Sequence, residues 1–260
     1  MSNIVLFTTP RPFEGLYDII QTNAFRSWSL LQIRTDHVLI FADREHEGNG
    51  AVACANSFDY MVKDGAERSP ISGVPLVSSL FEQAQQSWGP DRIYCYVNAD
   101  IILDEGLPTA LHNLEGMFPT GRWENWLAVA RRWNVQVLDY MDFGENWKEE
   151  LKYKVELQGS LMVECAIDLF AWKGPVFPHV QPFAIGRYIW DNALLASALQ
   201  RGSAVVDITP VVRITHQSHH IVPWEDPDKH RNAGLIAAYC GLHDSTHTLT
   251  PEGLKEGWHP

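Results

Sequence analysis

Arg92-Ile93-Tyr94-Cys95-Tyr96-Val97-Asn98-Ala99-Asp100-Ile101-Ile102-Leu103 is the stretch on which the fold turns. Its β-branched and aromatic residues predict a long strand, in which Asn98 and Asp100 are polar interruptions. Just upstream, residues 76–88 space their apolar side chains as a helix does, and Gly89-Pro90 stops them. Further back, 3–9 predicts a buried first strand closed by Pro10-Arg11-Pro12, 13–31 a helix, and 37–42 a second strand. That strand ends at Asp43-Arg44-Glu45, ahead of the turn Gly48-Asn49-Gly50. Strand, helix and strand in alternation imply a parallel sheet with right-handed crossovers.

Downstream the pattern is less regular. Residues 126–132 and 161–172 predict strands, and the polar stretch 142–153 between them suits a lid that orders when a ligand binds. A helix is predicted over 191–200, with Asp191 at its start and Gly202 just past its end. Short strands follow at 204–208 and 211–215, and the tail beyond Pro223 is rich in His, Pro and Gly. The 260 residues suit one compact α/β domain, and no internal repeat is present.

Composition excludes several classes. A 45% apolar, 20% charged chain is in the globular range, and no apolar run approaches the length of a membrane span. The start, Met1-Ser2-Asn3, lacks the basic and small-residue marks of a secretory signal, so a cytoplasmic location is expected. Twenty Lys and Arg against 32 Asp and Glu give a formal charge of −12, which disfavours non-specific nucleic-acid binding. Cys54, Cys95, Cys165 and Cys240 are widely spaced, forming neither a zinc knuckle nor a disulfide framework.

In an open α/β sheet, ligands bind beyond the carboxyl ends of the strands, so polar residues there are the candidates for chemistry. Asn98 and Asp100, two apart on an extended backbone, would share one side; together they can hold Mg²⁺ or Mn²⁺ on a diphosphate, or simply stabilise a turn. Thr215-His216-Gln217-Ser218-His219-His220 offers imidazoles for a metal shell, or a surface cluster. Arg131, Arg132 and Arg187 suit a diphosphate through bidentate hydrogen bonds, or are solvated surface groups. Asp191 is either a helix cap or a general base, and Asp168, interrupting an apolar strand, needs a hydrogen-bonding partner. Trp123, Trp126, Trp133, Trp147 and Trp190 fall in or beside the expected crevice loops, where aromatic faces can stack on a sugar or a base; most tryptophans, though, are core packing.

Taken together these residues resemble the glycosyltransferase-A fold, the Rossmann-like single domain of nucleotide-sugar transferases with an acidic D-x-D-type motif. More narrowly, Tyr96-Val97-Asn98-Ala99-Asp100-Ile101-Ile102-Leu103, then Pro182-Phe183-Ala184-Ile185-Gly186-Arg187 with Trp190-Asp191-Asn192, then His216-Gln217-Ser218-His219, resemble a little-characterised glycosyltransferase-like group. Gly73-Val74-Pro75-Leu76 and the following helix also fit, and the resemblance covers about positions 4–222. It implies a single domain with a mostly parallel central sheet flanked by helices. Residues 1–104 would be the nucleotide-sugar half, 105–222 the acceptor and catalytic half, and 223–260 a tail.

The same resemblance implies site roles. Thr8, Thr9, Pro10, Arg11 and Asp43 would lie near base and ribose, with Pro75, Asn98, Ala99 and Arg132 also on the donor. Asp100 would be the principal metal carboxylate for Mn²⁺ or Mg²⁺, with His216 or His219 completing the shell. Asp168, Arg187 and Trp190 would face the acceptor, and Asp191 would serve as base in an inverting reaction or orient the acceptor in a retaining one. The implied activity is hexosyl or pentosyl transfer from a nucleoside-diphosphate sugar to a saccharide, small molecule, protein or modified nucleobase. Asn98 departs from the pattern by replacing the first carboxylate of D-x-D, as does His220, where an acidic residue is expected. A metal-dependent phosphohydrolase and a non-catalytic nucleotide-sugar binder are the competing readings. A sugar nucleotidyltransferase is disfavoured because no glycine-rich signature follows the first strand.

Overall fold

The computed structural model describes residues 3–118, 125–220, 223 and 225–259. Trp123 lies outside them. In chain order the elements are β1 (Ile4–Thr8), α1 (Leu16–Ser29), β2 (Val38–Phe41), α2 (Gly48–Ser57), β3 (Met61–Lys63), α3 (Val77–Trp88), β4 (Ile93–Val97), β5 (Ile101–Ile102) and α4 (Gly106–Met117). Then come β6 (Trp126–Val135), α5 (Trp147–Gln158), β7 (Ser160–Leu161), β8 (Ile167–Lys173), α6 (Trp190–Gln200), β9 (Ala204–Asp207), β10 (Ile214–Gln217), α7 (Pro227–Leu235), β11 (His247–Thr250) and β12 (Gly253–Glu256).

The main sheet runs β12-β11-β9-β6-β8-β4-β1-β2-β3. Side-chain alternation builds a core on each face. Ile4, Leu6, Ile93, Cys95 and Val97 point to a layer shared with α1, α2 and α4, whereas Val5, Phe7, Tyr94 and Tyr96 point to one shared with α3 and α6. On that second face Phe81 stacks on Trp172 at 4.9 Å. The result is a single Rossmann-like α/β domain, but the sheet is mixed rather than mostly parallel. β8 lies antiparallel between β4 and β6, and β11 and β12 form an antiparallel pair at the edge. No helix of the described residues is long and apolar enough to cross a membrane.

Several sequence expectations change, each for a local reason. The single strand expected over 92–103 is two, because Asn98-Ala99-Asp100 forms a turn closed by the Ile101 N–H donating to the Asn98 carbonyl at 3.2 Å. β5 then leaves the main sheet to pair with β10. The expected strand 161–172 is also divided, since a turn at 163–166 separates β7 from β8. The stretch 142–153 is helical from Trp147 on: Trp147, Leu151 and Val155 recur every four residues and seat α5 on Ile102, Val135 and Val137. Gly48-Asn49-Gly50 opens α2 instead of making a turn, and the 211–215 strand is displaced to β10, so His216 and Gln217 lie within a strand. The helix expected from Phe13 begins at Leu16, after Gly15 at φ 54°.

β6 positions the site. Its first half pairs with β8 and β9; after an irregularity between Ala130 and Arg131, its second half pairs with β10 and β7. Arg132 therefore stands where the strand passes from the main sheet to the β5–β10 ribbon, and does not close the strand as expected.

Candidate active site

Asp100 follows β4 and precedes β5, and its backbone is clamped: the Gln217 backbone N–H and side-chain Nε2 both donate to its carbonyl, at 3.3 and 3.1 Å. Gln217 Nε2 also donates to the Ile20 carbonyl at 2.6 Å, and Asn23 Nδ2 to Gln217 Oε1 at 3.0 Å, so this buried glutamine ties α1, β5 and β10 together. The clamp sets Asp100 beside the histidines. Asp100 Oδ2 is 2.9 Å from His219 Nε2 and 3.6 Å from His216 Nε2, and the two Nε2 atoms are 3.3 Å apart.

Hydrogen-bond logic fixes one tautomer. The His219 Nδ1 partner, 2.8 Å away, is the His220 carbonyl, which can only accept, so Nδ1 carries hydrogen. In neutral His219 the Nε2 lone pair then faces Asp100 and His216, and three electron-rich atoms converge. Such a cluster needs a proton or a cation at its centre. Asp100 with His219 raises the imidazole above its usual range, against the opposing effect of burial. Burial works against charge on Asp100, but His216 and His219 outweigh it and hold the carboxyl well below the usual range. Asp100 Oδ1 and His216 Nδ1 are buried without a protein partner. Asp100, His216 and His219 thus form a group able to hold a metal ion, its three donor atoms within 4.8 Å of one another.

A second polar chain adjoins it. Arg132 Nη1 donates to Asp168 Oδ2 at 2.5 Å, Asn98 Nδ2 to Asp168 Oδ1 at 2.7 Å, and Tyr96 Oη to Asn98 Oδ1 at 2.8 Å. Both Asp168 oxygens are engaged by protein. Asn98 and Asp100 do not share one side as an extended backbone would require: the turn sends Asn98 to Asp168 and Asp100 to the histidines. Asp191, predicted as a helix cap, is in the first turn of α6 instead, because Ile189, at φ 78°, is the capping residue. Its half-buried carboxyl is pushed up to about 7, chiefly by desolvation, with the Asp168 charge adding and Arg132 opposing.

The remaining candidates each have their own surroundings. Thr8 and Thr9 are buried at the end of β1; Thr9 Oγ1 donates to the Phe41 carbonyl, and Thr8 Oγ1 has no partner. Past Pro10, the Arg11 guanidinium lies 5.0 Å over the Tyr17 ring, and Tyr17 is 5.3 Å from the His219 ring, a stack that joins the first loop to the metal-capable cluster. Asp43 is held by Arg68 at 3.1 Å and by His46 at 2.8 Å. The Pro75 carbonyl accepts from Ile185, which docks the 182–187 loop on the start of α3, and Ala99 is buried in the turn. Arg187 pairs with Asp226 at 2.9 Å, and Trp190 packs in the core against Tyr96 and Phe170. Sequence reasoning did not single out Tyr17, or the clamping role of Gln217, whose place between His216 and His219 was the one available signal.

No protein-family model and no curated protein matches the chain. Its fold is similar to solved structures of S. aureus TarS. For TarS 1-349 in complex with UDP-GlcNAc the TM-score is 0.53 at 10% identity, over 94% of this chain and 63% of that one. For TarS 1-349 in complex with UDP it is 0.50 at 10% identity, over 84% and 61%. The chain thus spans less than two thirds of the TarS chain, and the likeness is one of fold: that of a protein that binds a nucleotide sugar.

Proposed function

We propose that the chain is a glycosyltransferase of the glycosyltransferase-A type, which moves a hexosyl or pentosyl group from a nucleoside-diphosphate sugar to an acceptor hydroxyl. The observation that carries this reading is the convergence of Asp100 Oδ2, His216 Nε2 and His219 Nε2, with Asp100 Oδ1 orphaned beside them. It stands at the carboxyl end of β4, where this class of sheet binds ligands.

Asp100, His216 and His219 would hold the ion, and two imidazoles beside one carboxylate favour Mn²⁺ over Mg²⁺. When bound, the cation neutralises charge developing on the departing diphosphate. Arg132, oriented by Asp168 and Asn98, adds its guanidinium to the same task. Thr8, Thr9, Pro10 and Arg11 line the base and ribose side together with Asp43, Pro75 and Ala99. Arg187 and Trp190 support the acceptor side by fixing the loop and the first turn that present Asp191.

Asp191 is the general base. Its carboxylate takes the acceptor hydroxyl proton as the acceptor oxygen bonds to the anomeric carbon. The bond from that carbon to the diphosphate oxygen breaks, and its electron pair leaves with the nucleoside diphosphate. A carboxyl that titrates near 7 is matched to this work at neutral pH, and attack from the opposite side inverts the centre. The test is nucleoside diphosphate release from a panel of UDP, GDP and dTDP sugars with Mn²⁺. Turnover in the wild type and loss of about a hundredfold or more in D191N support the reading; equal rates in the two proteins refute the base assignment, and no turnover of any donor refutes the function.

A further inference from the structure

Two exposed tyrosines from distant parts of the chain belong to segments that meet at the start of α6, where Asp191 stands. Tyr188, 45% exposed, immediately precedes the strained Ile189 that starts α6. Tyr239, 50% exposed, belongs to the segment after α7. That segment is pinned to the start of α6: Asn192, next to Asp191, donates from Nδ2 to the Cys240 carbonyl at 2.9 Å and to the Cys165 carbonyl at 3.4 Å, and the Leu242 N–H donates to the Glu164 carbonyl at 3.1 Å. Burial, the Cys165 thiol paired with its hydroxyl, and the charges of Tyr188 and Asp191 push the Tyr239 phenol up to about 12. The Asn192–Cys240 contact therefore sets Tyr239, next to Cys240, in a segment held against the start of α6, where Tyr188 and Asp191 stand.

We infer that Tyr188 and Tyr239, the latter delivered by the C-terminal segment, wall an acceptor subsite around Asp191 that takes a neutral, polyhydroxylated ring. The inference rests on the transferase reading above and narrows its acceptor. Exposed aromatic faces bind the apolar face of a sugar ring, while a carboxyl receives its hydroxyl. The arginines of these loops are committed elsewhere: Arg131 lies near Glu164 and Arg187 pairs with Asp226, while Arg132, paired with Asp168, serves the donor diphosphate. A phosphorylated or polyanionic acceptor would meet Asp191 with no free guanidinium from them, on a chain of formal charge −12.

The test is saturation-transfer NMR on the full chain with UDP and Mg²⁺, using methyl glycosides of glucose, galactose and N-acetylglucosamine as probes and glucose 6-phosphate as the charged counterpart. The wild type should saturate ring protons of at least one methyl glycoside more strongly than those of glucose 6-phosphate. Y239A and, separately, Y188A should cut that signal roughly fivefold, while Y239F retains it. Undiminished signal in both alanine variants, a preference for the phosphate, or no glycoside contact while UDP is saturated would overturn the subsite alone. Absence of contact in the wild type with UDP, and with GDP and dTDP tried in its place, would instead overturn the transferase reading beneath it.

Discussion

His219 Nε2 lies 2.9 Å from Asp100 Oδ2, though 119 residues separate them in sequence. The contact exists because β10 pairs with β5, setting His216 opposite Ile101 and bringing the following turn over Asp100. His220 adds only its carbonyl, as the acceptor that fixes the His219 tautomer, and its own side chain is exposed. H219A should therefore weaken Mn²⁺ binding by about tenfold or more, and H220A should leave it within twofold; titration calorimetry compares the two. Equal losses would mean that the backbone contact is not the source of the His220 contribution.

Asp168 is 5% exposed, with Arg132 on one oxygen and Asn98 on the other. Removing the carboxylate leaves a largely buried guanidinium without its counter-charge. D168A should lose about 3 kcal/mol of stability in urea unfolding. The double variant D168A/R132M should recover part of that loss, because it removes the stranded charge as well. No recovery would place the cost in packing.

Asp191 ties stability to pH. Its folded value of about 7 lies above the ordinary carboxylate value, so between roughly pH 4 and 7 the unfolded chain has released a proton that the fold retains. Its contribution to stability falls as pH rises through that window and stays low above it. D191N should therefore melt above the wild type at pH 8, with the difference disappearing near pH 4. Melting curves at the two pH values decide it, and a constant difference would contradict the raised value.

Ile189 holds φ 78°, ψ −5°, a conformation that a β-branched residue adopts only under constraint. Its placement directly before Trp190 and Asp191 puts that strain at the start of α6. I189G should raise stability by about 1 kcal/mol as strain is released, whereas I189V should bring no gain. Urea midpoints measure both.

The sequence exposed the first half of the fold because its strands carry unbroken apolar runs. β1, β2 and β4 are buried on both faces, and their bounds fall within a residue or two of expectation, apart from the β4–β5 break. α5 escaped because Lys and Glu crowd its three buried apolar residues, and β8 escaped as an antiparallel strand because direction in a sheet leaves no local mark. At the site, Asp100, His216 and His219 were legible as residue types that bind metals. What the sequence could not contain was their partnership, or the way Asn98 turns from Asp100 toward Asp168, since both depend on pairings across the whole chain. Trp190 shows the reverse: an aromatic beside a motif, but a core residue once its neighbours are known.

The most direct test of the central claim measures binding of Mn²⁺, and then of UDP with Mn²⁺, by titration calorimetry and electron paramagnetic resonance, in the wild type and in D100A. The account predicts that the wild type binds one Mn²⁺ and holds UDP more tightly with it. In D100A the Mn²⁺ affinity should drop by about a hundredfold or more, and the metal's effect on UDP should vanish. Unchanged Mn²⁺ affinity in a folded D100A, or UDP binding that ignores the metal in the wild type, would contradict it.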